Sequence, residues 1–303
     1  MGANLPHLPT ARKGTCPVSD VAVRPAADAD LAAIANVAIA AGQQDEWAGS
    51  NPVYVRHLMN HGRVVVAELG GEVAGFGAAQ QVGAGPRAAT MLCDLFVHPA
   101  THGRGCGRAM LADLWSGAAR RMTFSSLHSN AIPLYTSFGA DAWWPLLYLH
   151  GTADRLPASA GWTAEQVSAD TVAGHELAWT GAGRTADHRA WAARPGGAPV
   201  IVSVGGETMA AGTVAGSESQ RGIEHLAISP AADDSTAAAA VLTVLAYLGT
   251  TTGGATHVCL PAPHPAVRPL LAAGWRFDEF DVFMASEPGL LDPRRAVPSP
   301  GQA

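Results

Sequence analysis

The sequence lacks the features that mark membrane, secreted and zinc-binding proteins. Its apolar runs are all shorter than the roughly 20 residues that a membrane-spanning helix needs. No charged segment followed by an apolar block opens the chain. We therefore expect no membrane-spanning helix, no secretory signal and no membrane partner, and predict a cytoplasmic protein. Four cysteines without a Cys-x-x-Cys pair argue against a disulfide framework and a zinc ribbon, so no metal is expected.

Basic residues are also scarce. The chain has 19 Lys and Arg against 25 Asp and Glu, a formal net charge of -6. Proteins that bind nucleic acid present a clustered basic face, so no nucleic-acid partner is expected, whereas a cationic amine substrate is compatible with this charge. A hydrophobic fraction of 48% over 303 residues supports packed cores and predicts two domains.

One glycine-rich stretch carries most of the information. A predicted strand ends at Val97, a proline stops it, and Gly103, Gly105 and Gly107 alternate before an amphipathic helix. Alternating glycines let backbone N–H groups converge on an anion at a helix N-terminus. The stretch therefore predicts a diphosphate cradle, with a tight turn that binds nothing as the alternative.

The spacing distinguishes between families of phosphate-binding loops. Neither Gly103 nor Gly105 starts the pattern that ends in Gly-Lys-Ser/Thr, and Arg108 stands where a dinucleotide fingerprint needs its third glycine. The stretch resembles the acetyl-CoA loop of the GNAT superfamily of N-acetyltransferases, Val-x-Pro followed by Arg/Gln-x-x-Gly-x-Gly/Ala. His102 occupies the Arg/Gln position of that pattern.

The predicted elements around the cradle alternate between strands and helices. Strands are predicted at 21–25, 90–97, 122–127 and 142–149, helices at 27–40, 52–60, 107–121 and 130–137, and a hairpin turns at Gly70-Gly71. This order predicts an α+β arrangement with the cradle in the middle of a sheet.

The second half of the sequence repeats the first. Gly205-Gly206 echoes Gly70-Gly71, Pro230 echoes the proline of the cradle, and the Gly before Trp275 echoes Gly139, all in the same order and at nearly the same offset. We therefore predict two tandem GNAT-like domains, each a mixed, mostly antiparallel sheet flanked by helices. The predicted boundaries are a disordered lead at 1–19, a catalytic domain at 20–150, a linker at 151–164, a degenerate domain at 165–287 and a tail at 288–303.

The two copies differ at the cradle. Asp233 and Asp234 occupy the place of His102 and Gly103, and side chains replace two of the glycines. Carboxylates repel a diphosphate, so the second copy is predicted to have lost cofactor binding and kept the fold.

The resemblance implies transfer of an acetyl group from acetyl-CoA, as co-substrate, to an amine that attacks the thioester directly. Tyr135 would protonate the leaving thiolate, or pack in the core. Asp94 would bind substrate, act as the base or form a structural pair. The residues implied to bind the cofactor are Leu95, Phe96, Val97, His102, Gly103, Arg104, Gly105, Cys106, Gly107, Arg108 and Asn130.

A small amine is the predicted acceptor, with a protein or peptide lysine, or an acyl-CoA-binding module without turnover, as alternatives. The chain is expected to be a monomer or a homodimer. His57 and His61 have metal-like spacing but lack a Glu and a third ligand, so solvated histidines are expected. Cys106 at a helix N-terminus is a possible nucleophile, with a small packing residue as the preferred interpretation.

Overall fold

The fold is described here from a computed structural model that defines residues 21–43, 53–84, 88–157, 159–217, 220–252 and 255–301. The first half contains β1 Val21–Pro25, α1 Leu31–Ala40, α2 Val53–His61, β2 Arg63–Leu69, β3 Glu72–Val82, β4 Ala89–Val97, α3 Cys106–Leu114, β5 Arg121–Ser125, α4 Ala131–Thr136 and β6 Asp141–Gly151. The second half contains β7 Trp162–Gln166, α5 Ala169–Thr180, α6 Thr185–Ala192, β8 Ala198–Val204, β9 Glu207–Ser217, β10 Gln220–Ile228, α7 Asp234–Thr252, β11 Ala255–Pro261, α8 Val267–Ala272, β12 Arg276–Ala285 and β13 Ala296–Val297.

The described residues form one mixed, mostly antiparallel sheet of 13 strands, and the order of the strands reveals the duplication. The order is β1-β2-β3-β4-β5-β12 followed by β6-β11-β10-β9-β8-β7, and β13 pairs with β10. The two runs of six are copies of each other, except that each takes its sixth strand from the other half. β12 pairs with β5 and β6 pairs with β11, so each half completes the sheet of the other.

The helices are divided between two faces of this sheet. α1 and α2 pack on Val64, Val66 and Phe76, and α3 and α4 pack on Val65 and Leu92 on the opposite face. The second half repeats this division, with α7 and α8 in the largest core cluster and α5 on the other side of β8 and β9. We call the two sides the α1/α2 face and the α3/α4 face.

Close packing of α3 on the sheet depends on glycine in β3. A β-carbon on Gly75 would lie 2.9 Å from Met110 Cε and 2.7 Å from the carbonyl oxygen of Phe96. The Met110 side chain can move aside, but the carbonyl belongs to the backbone of β4, so glycine is needed at this position. The N-terminus of α3 lies beside the end of β4, where a β-carbon on Gly107 would be 3.5 Å from Val97 Cγ2.

Several predicted boundaries need correction or remain predictions. The helix predicted to reach residue 121 ends at Leu114, because Gly117 takes a left-handed φ of +70° and Arg121 already begins β5. The predicted lead at 1–19 and residues 44–52 lie outside the described residues. The division at 150 and 165 stays a prediction, and the exchange of β6 and β12 crosses it. No helix in the described ranges is long and apolar enough to span a membrane.

Candidate active site

The sheet opens between β4 and β5. Their parallel pairing runs from Thr90 opposite Arg121 to Leu92 opposite Thr123 and stops there. A bulge at Cys93 accompanies the separation, since Ala79 pairs with Leu92 but Ala78 pairs with Asp94. Bulges bend and twist a strand, so the ends of β4 and β5 diverge into a cleft. The β4–β5 cleft leads directly to the glycine loop.

The loop has the conformation that an anion cradle requires. Gly103 and Gly105 have φ values of +77° and +90°, which only glycine adopts readily. Gly105 is the N-cap of α3 and provides no side-chain cap. Among the described residues, the backbone N–H groups of Gly103, Gly105, Gly107 and Arg108 have no hydrogen-bond acceptor. These donors at the positive end of a helix dipole suit a phosphate.

The corresponding loop of the second half is closed by its own side chains. Asp233 accepts hydrogen bonds from the backbone N–H of Thr236 at 2.7 Å and from Ser235 Oγ at 2.8 Å. These bonds lower the pKa of Asp233 to about 2. Asp234 is ion-paired with Arg294 and Arg295. A carboxylate therefore satisfies the α7 N-terminus that an anion would otherwise occupy.

The side chains around the first-half cradle point in different directions. The imidazole Nε2 of His102 donates to the carbonyl of Val97 at 3.0 Å. Arg108 donates to Ser137 Oγ at 3.0 Å and lies 5.4 Å over the Phe138 ring, so its guanidinium contacts the end of α4 rather than the loop. Arg104 is exposed.

His128 lies beside the cradle and was not predicted from the sequence as a residue of the site. His128, in the connection from β5 to α4, lies edge-on to the His102 ring with centroids 5.8 Å apart. It belongs to no recognisable motif, and only the fold brings the two loops together. Asn130 in the same connection is exposed and precedes α4 as its N-cap residue.

Tyr135 lies at the inner side of α4. Its side chain is buried in the α3/α4 core, with its ring centroid 6.0 Å from that of Trp115. Burial, together with the charges of Asp281 and Asp94, raises the pKa of the phenol. The hydroxyl therefore stays protonated well above neutral pH, as a proton donor must. The ring packs in the core and the hydroxyl keeps its proton. The structure is therefore compatible with both predicted roles of Tyr135, core packing and proton donation.

Asp94 lies on the α1/α2 face. It pairs with Ala78, whose side chain belongs to the core under α1 and α2. The neighbouring Cys93 is half-buried, and desolvation together with the charge of Asp94 raises the pKa of its thiol well above the ordinary range. Cys106 is 1% exposed within the α3/α4 core, and burial raises its thiol pKa too. The packing interpretation of Cys106 therefore agrees with the structure better than a nucleophile does.

The second half fills the position of Asp94 differently. His225 precedes Pro230 by as many positions as Asp94 precedes Pro99, and it again lies beside a bulge. Its Nε2 donates to Glu176 at 2.7 Å, and His188 donates to the other oxygen at 2.8 Å. Burial alone would raise the pKa of Glu176, but the charge of His225 and the two hydrogen bonds outweigh it, so the pKa is lowered. A buried network of polar groups thus occupies the region that would face an acceptor.

The prediction that His57 is solvated is wrong. Its Nε2 is 2.6 Å from Asp187 on α6, and its side chain is 8% exposed. Asp187 also accepts from Arg184 at 3.0 Å. The pair joins the helices of the two halves on the α1/α2 face. No group of three potential metal ligands occurs among the residues described.

Comparisons with known proteins agree with this geometry. Residues 60–139 match the family model of the acetyltransferase (GNAT) domain, a segment that spans β2 to α4 and contains the cradle. No curated protein sequence matches the chain significantly.

Three solved structures illustrate the similarity in fold. A protein from Pyrococcus horikoshii has a TM-score of 0.70 and 13% identity over 97% of this chain and 100% of its own. A GCN5-related glucosamine N-acetyltransferase region of a fungal multi-domain enzyme has a TM-score of 0.64 and 11% identity, over 92% of this chain and 39% of the fungal one. A tandem GNAT protein from the clavulanic acid biosynthesis pathway has a TM-score of 0.56 and 17% identity, over 90% of this chain and 100% of its own. Residues 60–139 are therefore similar to a GNAT acetyltransferase domain, and the chain has the fold of tandem GNAT proteins.

Proposed function

We propose that the first half transfers an acetyl group from acetyl-CoA to a small primary amine at the β4–β5 cleft. The GNAT fold implies acyl transfer from acetyl-CoA. The observation that carries the assignment to the first half is the contrast between the two copies. The first cradle offers free N–H donors, whereas Asp233 caps the second.

The geometry supports a set of cofactor-binding residues. Within the 102–108 segment, the N–H groups of Gly103, Gly105, Gly107 and Arg108 would hold the diphosphate, because they lie at the N-terminus of α3 and have no acceptor among the described residues. The strand edge that β4 exposes after Leu92, from Leu95 to Val97, would pair with the pantetheine amides. Asn130, exposed at the start of α4, would contact the pantetheine from the opposite side of the cleft.

The reaction needs one group to take a proton and one to give it. An alkylammonium must first lose a proton, and Asp94 on the α1/α2 face would help to bind the cation at the cleft. The amine nitrogen then attacks the thioester carbonyl, so that a C–N bond forms and the C–S bond breaks. Tyr135 donates its proton to the departing thiolate, and the proton that the amide nitrogen sheds restores the phenol.

An amine acceptor is supported by the charge at the cleft. Asp94 and Asp281 both lie close enough to Tyr135 to raise its pKa, and two carboxylates favour a cation. The fungal region with the same fold is named a glucosamine N-acetyltransferase, and glucosamine is a primary amine.

The test is amine-dependent release of the CoA thiol. Purified chain and acetyl-CoA are mixed with primary amines, with the corresponding alcohols and with lysine peptides, and the products are identified by mass spectrometry. We expect thiol release with small amines and an N-acetyl product. Preference for lysine peptides would correct the acceptor class, and binding of acetyl-CoA without release in any mixture would refute the enzyme and favour a binding module.

A further inference from the structure

Exchange of the sixth strands brings Asp281 of the second half to the cleft of the first. β12 pairs with β5 only as far as Val282, which lies opposite Ser125, the last residue of β5. Asp281 precedes Val282 in the sequence. Because β12 runs antiparallel to β5, Asp281 lies just beyond the end of β5. This is the side on which β4 and β5 have separated.

The carboxyl of Asp281 is on the same face as Asp94. Asp281 pairs with Leu146, which belongs to the buried cluster on the α1/α2 face. The hydroxyl of Tyr148 donates to Asp281 Oδ2 at 2.6 Å, and among the described residues Oδ1 has no hydrogen-bond donor. Tyr148 thus fixes Oδ2, and Oδ1 can accept a hydrogen bond from a ligand.

The electrostatic effects of this carboxyl agree with the position that the strand pairing gives it. The charge of Asp281 raises the pKa of Tyr135, as the charge of Asp94 does. Burial raises the pKa of Asp281 itself, which makes its carboxylate a stronger proton acceptor. The two carboxylates on the α1/α2 face therefore lie close enough to the phenol on the α3/α4 face to affect its ionisation.

The second copy shows that the fold does not require this carboxylate. Gly274 and Gly139 are equivalent glycines of the two copies. Asp281 follows the first by as many positions as Leu146 follows the second, so Leu146 corresponds to Asp281. The same alignment matches Phe283 to Tyr148. The symmetric strand order places Leu146 in the second copy's version of the same site. The carboxylate and its hydroxyl partner thus occur only in the copy with the open cradle.

We propose that Asp281, supplied by the second half, binds the ammonium group of the acceptor and takes its proton. This inference rests on the proposed function. An N–H bond of the ammonium breaks and an O–H bond forms at Oδ1, which leaves the nitrogen lone pair for attack, and the proton then passes to water. Tyr148 is a positioning residue that fixes the carboxyl through Oδ2. The active site of the first half is accordingly built from both halves of the chain.

The test compares a charged and a neutral amine. n-Butylamine is protonated at neutral pH and aniline is not, and thiol release from acetyl-CoA is measured with each. Asp281→Asn should lower kcat/KM for n-butylamine by about 100-fold and leave the rate with aniline nearly unchanged. Asp278→Asn is the matched control, because Asp278 lies on the same strand and its side chain is 80% exposed. Its kinetics should equal those of the wild type.

Calorimetric binding of acetyl-CoA serves as the check on folding, and we expect Asp281→Asn to bind as the wild type does. Tyr148→Phe keeps the carboxylate and should lower kcat/KM for n-butylamine by about tenfold. If the wild type acetylates n-butylamine and Asp281→Asn behaves like Asp278→Asn, this inference is wrong and the proposed function stands. If the wild type releases no thiol with either amine, the proposed function itself fails.

Discussion

Adding one methyl group to the cradle separates its role in binding from its role in folding. Gly105 and Gly117 lie at opposite ends of α3, with φ values of +90° and +70°, and a β-carbon at either would meet no atom within 4 Å. Alanine therefore imposes the same left-handed strain at both, about 1–2 kcal/mol. Only Gly105 belongs to the loop whose N–H groups are proposed to hold the diphosphate, so only there should the methyl group reduce binding.

The expected loss of affinity follows from those donors. A hydrogen bond to a charged group contributes about 1.5–3 kcal/mol, so displacing the phosphate from one or two N–H groups costs about 3 kcal/mol, or roughly 100-fold in the dissociation constant. Thermal unfolding measures the strain, and calorimetric titration with acetyl-CoA measures the affinity. We expect similar decreases in Tm for Gly105→Ala and Gly117→Ala, about 2–4 °C per kcal/mol.

The reasoning would be refuted by either of two results. Wild-type affinity in Gly105→Ala would mean that the loop does not hold the diphosphate. Equal losses of affinity in Gly105→Ala and Gly117→Ala would mean that strain in α3, rather than blocked donors, weakens binding.

Two further predictions follow from buried groups. Tyr135→Phe keeps the ring in the core and should lower kcat by about 100-fold while the KM for acetyl-CoA stays the same. Thiol release at saturating amine measures both constants. An unchanged kcat would mean that Tyr135 only packs in the core. Glu176→Gln should reduce stability at pH 7 by about 3 kcal/mol, because two buried imidazoles lose a carboxylate. The pKa of Glu176 is lowered in the fold, so its stabilising effect is complete above its unfolded pKa of about 4.3 and is lost as the pH falls below it. Urea unfolding at several pH values should therefore show the difference between wild type and Glu176→Gln narrowing in acid, and a difference that stays constant would contradict this assignment.

The fold could be predicted largely from local patterns. The two-glycine turn at Gly70-Gly71, the apolar strand before Val97 and the alternating glycines each specify a conformation through a few neighbouring residues. The repeat then predicted a second copy. The helix after the cradle was predicted too long because the apolar pattern continues through Trp115, and its end depends on the left-handed φ of Gly117.

The composition of the site could not be predicted in the same way. Which half supplies the sixth strand depends on pairing between residues of different halves of the chain, such as Asp281 and Leu146, and no local pattern records that choice. The burial of His57 has the same cause, since its partner Asp187 lies on a helix of the other half. Sequence patterns identified the cradle, whereas the acceptor side of the cleft depends on how the halves are joined.

The stoichiometry of acetyl-CoA binding tests the central claim most directly, because the account assigns the cofactor to one of two similar copies. Calorimetric titration of the intact chain should give one acetyl-CoA per chain, since the first cradle is open and Asp233 closes the second. Binding of two molecules per chain, or of none, would contradict the account.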